Sequence, residues 1–275
     1  MNGKPKICLF WFRRDLRLND NAGLYQALLS GLPVLPLFIF DTLILKTLKS
    51  KTDRRIQYIY NELKEIQQLL QTKGSSLLIE KGEPADIIKK LIQTWKIEAI
   101  YANRDYEPYA LARDQQIARL LMAENITFHT FKDQVIFEKD EVVKSDEKPY
   151  TVFTPYKNKW MDTLHSRDIP SYPSEDLCSH FIKTTGYPFP SIKEIGFRET
   201  ERNYPSKKID LEIIKNYANT RDYPGIDGTT RLGIHLRFGT ISIRKLTKIA
   251  RELNPTFLSE LIWREFFMMI LYHFG

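Results

Sequence analysis

Lys6-Ile7-Cys8-Leu9-Phe10-Trp11-Phe12 decides the fold, together with the turn after it, Arg13-Arg14-Asp15-Leu16-Arg17-Leu18-Asn19-Asp20-Asn21. An unbroken apolar run of this length reads as a strand buried on both faces, the habit of central strands in parallel sheets. A half-exposed strand would alternate polar and apolar residues. The turn carries neither GxGxxG nor a phosphate-cradling P-loop, so the first crossover is not a dinucleotide fingerprint. Arg13, Arg14, Asp15 and Arg17 read instead as groups that pair and cap at the sheet's carboxyl edge.

Outward from this strand, helix and strand patterns alternate. Residues 21–30 read as a helix, and 32–41 (LPVLPLFIFD) as a second apolar strand. Residues 54–71 form an amphipathic helix with Ile56, Ile59, Leu63, Ile66 and Leu70 on one stripe. Residues 76–80 read as a third strand. Pro84 opens the next helix at its first turn, where a missing N–H costs little, and Ile87, Ile88, Leu91, Ile92 and Trp95 make its buried face. A fourth strand (98–102), a helix (109–123) and a fifth strand (126–131) complete the series. Repeated β-α units predict an α/β fold: a doubly wound, Rossmann-like parallel sheet of five strands with right-handed crossovers. Ligands are expected at the strands' carboxyl ends.

From 133 to 206 the pattern fades. Pro149, Pro155, Pro170, Pro173, Pro188, Pro190 and Pro205 punctuate what reads as a long connection with short helices. Helical patterns return over 211–218, 243–253 and 255–274, the last with Asn254 as cap and Pro255 at its first position. The predicted organisation is residues 1–132 as an α/β domain, 133–205 as a connection, and 206–275 as the start of an all-α domain. The run Phe266–Phe274 is too apolar for a surface helix and predicts a face that seeks partner helices.

Composition narrows the classes. At 43% hydrophobic and 27% charged residues, the chain can bury a sizeable core and stay globular. No apolar run nears the roughly 18 residues of a membrane span. The start Met1-Asn2-Gly3-Lys4-Pro5-Lys6 carries no signal core, so a cytoplasmic protein is expected. Cys8 and Cys178 have no CxxC partner, which argues against disulfide and thiolate-metal roles. His129, His165, His180, His235 and His273 lack zinc-ligand spacing, so no metal site is expected. A net charge of +7 is compatible with a polyanionic partner. Arg221, Arg231, Arg237, Arg244, Lys245, Lys248 and Arg251 concentrate it late in the chain, as solvated helix faces or as DNA phosphate contacts.

Two clusters bear on chemistry. Asp227-Gly228-Thr229-Thr230 is a turn with two hydroxyls just before a helical segment, which reads as an ordinary cap or as a pyrophosphate site. Glu260, Trp263 and Arg264 are spaced i, i+3, i+4 and share one helix face. They read either as a core Trp with a surface ion pair, or as a patch presenting a carboxylate, a flat aromatic and a guanidinium.

Five ordered blocks together resemble the DNA photolyase/cryptochrome family. They are Trp11–Asn21, Asn103–Pro108 with Arg113-Asp114, Phe153-Thr154-Pro155-Tyr156, Asp227–Gly239, and Glu260–Phe266. The nearest likeness is to a class I cyclobutane pyrimidine dimer photolyase cut short at its C-terminus. The resemblance implies a flavoprotein that uses light and reduced FAD to split pyrimidine dimers in UV-damaged DNA, a monomer at full length. It implies flavin contacts from Tyr217, Thr229, Thr230, Arg231, Leu232, Gly233, Phe257, Glu260, Arg264 and Phe267. Gly233 stands where the family commonly has serine, so a backbone N–H would serve there. By the same resemblance Trp263 stacks on the lesion, Glu260 hydrogen-bonds the pyrimidine edge, and Arg221 contacts DNA along with them. Glu107 is the antenna candidate, for folate or deazaflavin undecided. The family's remaining flavin helices and relay tryptophans would lie beyond Gly275.

Other functions stay open. A cryptochrome photoreceptor would share these motifs and repair nothing. A non-catalytic chain would bind only a chromophore or partner through its α/β domain, retain no flavin, and associate through Phe266–Phe274. An adenine-nucleotide-binding subunit would leave the two C-terminal motifs unexplained.

Overall fold

Five strands form one all-parallel sheet in a computed structural model of the chain, which describes residues 5–275. Residues 1–4, part of the segment read as lacking a signal core, lie outside the described residues. The strands are β1 (Lys6–Phe12), β2 (Val34–Asp41), β3 (Leu78–Gly82), β4 (Lys96–Asn103) and β5 (Thr127–Phe131), in the order β3-β2-β1-β4-β5. This is the predicted doubly wound sheet. β1 is central because both its faces are apolar, and Trp11 lies opposite Leu37 on one side and Ala102 on the other.

Five helices join the strands: α1 (Ala22–Leu28), α2 (Thr42–Lys46), α3 (Arg54–Thr72), α4 (Pro84–Thr94) and α5 (Pro108–Ala123). The odd-numbered side chains Ile7, Leu9 and Trp11 of β1 pack with Ile88, Leu91, Ile117 and Leu121 in one core layer. Ile92 and Trp95 only flank that layer.

The chain divides into two compact units. The α/β unit comprises residues 1–104, 112–131 and 172–204; the helical unit comprises 105–111, 132–171 and 205–275. The interval 133–205, read as a connection, is thus shared out between the two. Its first part holds α6 (Phe153–His165), whose Tyr156, Trp160 and Leu164 are core residues of the helical unit. Its second part includes α7 (Ile192–Ile195) and wraps α3. The predicted α3 stripe is buried except for half-exposed Ile59, but Gln57, Asn61, Glu62 and Gln67 are buried too. The returning segment satisfies several of them: Thr200 N–H donates to Gln57 Oε1 (2.9 Å), and Asn61 donates to the Tyr204 hydroxyl (3.0 Å). Cys178 sits buried in a short 3-10 turn over Ser174–His180, and burial raises its thiol pKa.

The helical unit continues with α8 (Leu211–Thr220), α9 (Gly233–Phe238), α10 (Ile243–Leu253) and α11 (Pro255–Phe274). Trp160, Ile214, Leu246, Leu261 and Ile262 centre its core. Arg244 Nη2 meets Asp133 Oδ1 at 2.9 Å, with both side chains almost fully buried. Among the described residues no helix is long and apolar enough to cross a membrane, and no metal-binding cluster occurs.

Candidate active site

In the α/β unit the strand order reverses between β1 and β4, the place where such sheets bind ligands. Here the crevice is filled from within. Arg13 pairs with both oxygens of Asp114 (2.5 and 2.7 Å) and also donates to the Asn103 carbonyl. The Asn103 amide donates to Asp15 (2.6 Å) and to Asn21 (2.7 Å), and Gly23 N–H donates back to Asn103 Oδ1 (2.9 Å). A Cβ at Gly23 would lie 2.7 Å from that oxygen, so only glycine allows the approach. The guanidinium groups of Arg13 and Arg113 lie 5.1 and 4.9 Å from the Trp11 ring. The opening turn is therefore a structural knot, as its charges predicted. A shallow cleft of about 580 Å³ opens elsewhere in this unit, lined by Lys51, Ile192, Lys193, Phe197 and Arg198.

The other candidate residues gather in the helical unit. Asp210 caps α8 by accepting from Glu212 N–H (3.0 Å) and Ile213 N–H (3.2 Å). This helix carries Tyr217, whose ring meets Phe257 edge-on at 5.1 Å. Burial, reinforced by the Glu260 carboxylate, raises the Tyr217 phenol pKa. Arg221 ends α8; its guanidinium lies 5.6 Å from the Tyr217 ring and forms an ion pair with Glu260 of α11. Asn254 joins the two helices, capping α11 through Thr256 N–H (2.9 Å) while its amide donates to the Lys215 carbonyl (3.0 Å).

The loop between α8 and α9 is pinned at Gly228. A Cβ there would meet the Thr220 Cβ at 2.5 Å, and the Thr220 hydroxyl donates to the Gly228 carbonyl (3.1 Å). Thr229 is exposed and Thr230 half-buried. Arg231 adopts a left-handed backbone (φ 52°) and pairs with Asp227 at 2.9 Å. Leu232 is buried in the core, and α9 then begins at exposed Gly233 without a side-chain cap. An added Cβ at Gly233 would meet nothing within 4 Å.

On α11 the face predicted for Glu260, Trp263 and Arg264 is split. Glu260 and Trp263 are half-buried at the surface. Arg264 turns inward, donating to the carbonyls of Gln134 (2.6 Å) and Leu236 (3.2 Å). Spacing placed the three Cα atoms on one flank but not the long Arg side chain, which reaches backbone carbonyls inside the unit. Burial lowers its guanidinium pKa. Phe267 is 60% exposed. Glu107 belongs to the helical unit and pairs with Arg237 of α9 at 2.7 Å.

Two groups escaped the sequence reading. Glu265 is buried and accepts from Ile136 N–H, Phe137 N–H (3.2 Å) and Trp160 Nε1 (2.7 Å). Burial pushes its pKa up to about 7, against the lowering pull of those donors. A carboxylate inside an aromatic run was the available signal. Phe153, at the first position of α6, stacks on the Trp263 ring at 3.5 Å and 8°.

A doubly wound parallel sheet carrying a knotted first turn, joined in one chain to a helical unit with an aromatic-acidic ridge, defines a two-unit α/β plus all-α protein. The family model for DNA photolyase matches residues 8–174, and the chain belongs to that family. A deoxyribodipyrimidine photo-lyase of Synechococcus is 31% identical over 97% of this chain and 60% of its own length. An uncharacterized 31.6 kDa protein of another Synechococcus strain is also 31% identical, over 94% of this chain and 98% of its own. A class III photolyase of Agrobacterium tumefaciens shares the fold with a TM-score of 0.79 at 23% identity, covering all of this chain and 60% of that one. The chain thus spans about 60% of the length of the named photolyases it matches.

Proposed function

We propose that this chain serves light-driven repair of cyclobutane pyrimidine dimers in DNA, with the electron supplied by reduced FAD. The observation that carries the reading is the α11 ridge, where Glu260, held by Arg221, stands one turn from Trp263. Its class I character, cytoplasmic location and monomeric state belong to the same proposal.

The residues fit a flavin dinucleotide. Uncapped N–H groups at the start of α9, open space at Gly233, and the Thr229 and Thr230 hydroxyls suit a diphosphate. Tyr217, Phe257 and Phe267 offer aromatic surface for the rest, with Arg231 and Leu232 framing the loop. Arg264 holds the walls by fixing residues 134 and 236. When bound, FAD supplies the light-driven reducing chemistry. Trp263 presents a flat face to a flipped dimer, and stacking contributes about 1–3 kcal/mol per base. Flipping costs least for a pair the lesion has already distorted. Glu260 places a carboxyl at the pyrimidine edge, and Arg221 can exchange Glu260 for a DNA phosphate. Glu107 is proposed as the antenna contact, for folate or deazaflavin.

The test is to load the chain with FAD, pass it through gel filtration, record its absorption, and illuminate it with a dimer-containing oligonucleotide. Retained flavin and recovered 260 nm absorbance are expected, with repair lost in Trp263→Ala while flavin stays bound. A folded chain that retains no flavin overturns the reading. It would favour a chain that binds a chromophore or partner without repair. Retained flavin without repair would favour a cryptochrome role.

A further inference from the structure

One face of the Trp263 indole is already covered. Phe153 lies flat on it, ring centroids 3.5 Å apart and planes within 8°. Phe267 lies 5.4 Å away at 23°, and Phe266 meets both Trp263 and Phe153 edge-on at 5.7 and 5.9 Å. The edge-on contacts are the arrangement aromatic rings prefer. A face-to-face sandwich sets two negative π-faces against each other and is the poorest of the common geometries. Phe153 therefore holds its place by exclusion of water and weakly by ring–ring attraction.

Its attachment is also weak. Phe153 is the first residue of α6, and the preceding Val152 sits at the cap in extended backbone with no side-chain hydrogen bond to the helix. Val152 is 60% exposed, and Thr154 and Pro155 are exposed as well. An uncapped first turn leaves its N–H groups to solvent, so this turn unwinds more readily than a capped one. The next core anchor of α6 is Tyr156. The ring is thus half-buried at the end of a short uncapped arm, in a poor geometry, flat on one face of the indole.

We propose that Phe153 is the gate of the Trp263 site: it occupies the stacking face in the absence of substrate and swings out when a flipped pyrimidine takes its place. A base stacked on an indole contributes more than a phenyl ring sandwiched on it, so the exchange runs toward the bound base. The covered face also keeps water from the indole until a substrate arrives. The proposal rests on the reading that Trp263 receives the lesion.

The test measures fluorescence anisotropy of a labelled decathymidylate carrying one cyclobutane dimer, titrated with the full chain at low salt. Phe153→Ala removes the competitor and tightens binding about two- to tenfold. Phe153→Leu, which keeps apolar bulk but no ring, shifts it in the same direction and guards against a folding defect in the alanine variant. Trp263→Ala weakens binding, and Phe153→Ala adds nothing in the Trp263→Ala background. If Trp263→Ala weakens binding while both Phe153 variants leave it unchanged or weaker, the gate is overturned and the lesion reading stands. If Trp263→Ala changes nothing, the lesion reading falls and the gate with it.

Discussion

Replacing Glu265 with glutamine should change how stability depends on pH more than it changes stability itself. The carboxyl is buried, and burial lifts its pKa from an ordinary 4.5 to about 7. In the unfolded chain it titrates near 4.5. Between those values the folded protein binds more protons than the unfolded one, so the Glu265 contribution falls as pH rises. It is fully present below about pH 4.5 and lost by the time pH passes about 7. At about 1.4 kcal/mol per pH unit, this slope is worth about 3 kcal/mol across the window. Glutamine keeps an oxygen for the N–H groups of Ile136 and Phe137 or for the Trp160 indole, but it does not titrate. The stability of Glu265→Gln relative to the parent should therefore improve by about 3 kcal/mol from pH 4.5 to pH 7.5. Urea unfolding followed by circular dichroism at several pH values measures it. A difference that stays flat across that range would refute the argument and mean that Glu265 remains ionised throughout, its three donors and Arg264 outweighing burial.

Other outcomes follow from contacts already described. Asp133→Ala strands Arg244 in the core and should cost about 3–5 kcal/mol in the same urea assay, whereas replacing both partners with apolar residues should cost far less. Gly228→Ala drives a Cβ into Thr220 and should destabilise by about 1–3 kcal/mol and reduce FAD retention on gel filtration, because the loop proposed to hold the diphosphate must shift. Asn254→Ala removes the α11 cap and its bond to α8, and should lower stability by about 0.5–2 kcal/mol.

The sheet was legible because its central strands β1 and β2 are buried on both faces, and runs such as Lys6–Phe12 show that without help from context. Edges were less so: β3 lies two residues later than predicted because Ser76 and Leu77 serve a buried bond to Gln67 rather than the ladder. Helix α6 was missed because Pro155 and three lysine or asparagine residues mask Tyr156, Trp160 and Leu164, whose burial depends on partners distant in sequence. The buried polar side of α3 was unreadable for the same reason. In the site, spacing identified the ridge of Glu260 and Trp263, but it said nothing of where Arg264 would reach or of what would lie on the indole.

The interleaving of the two units has a consequence for synthesis. The α/β unit needs residues 172–204 to satisfy Gln57 and Asn61, yet its last strand ends at Phe131. A ribosome adding about 5–20 residues per second takes roughly 4–14 s to make the seventy-odd residues between them. During that interval the nascent sheet carries a helix with an unfinished polar flank, while the first pieces of the helical unit have emerged without their partners. Neither unit can be completed vectorially before the other has begun. A chaperone that waits on this chain would therefore meet an open α/β unit until residue 204 has been made, and early helical segments that stay unpartnered until the last helices follow.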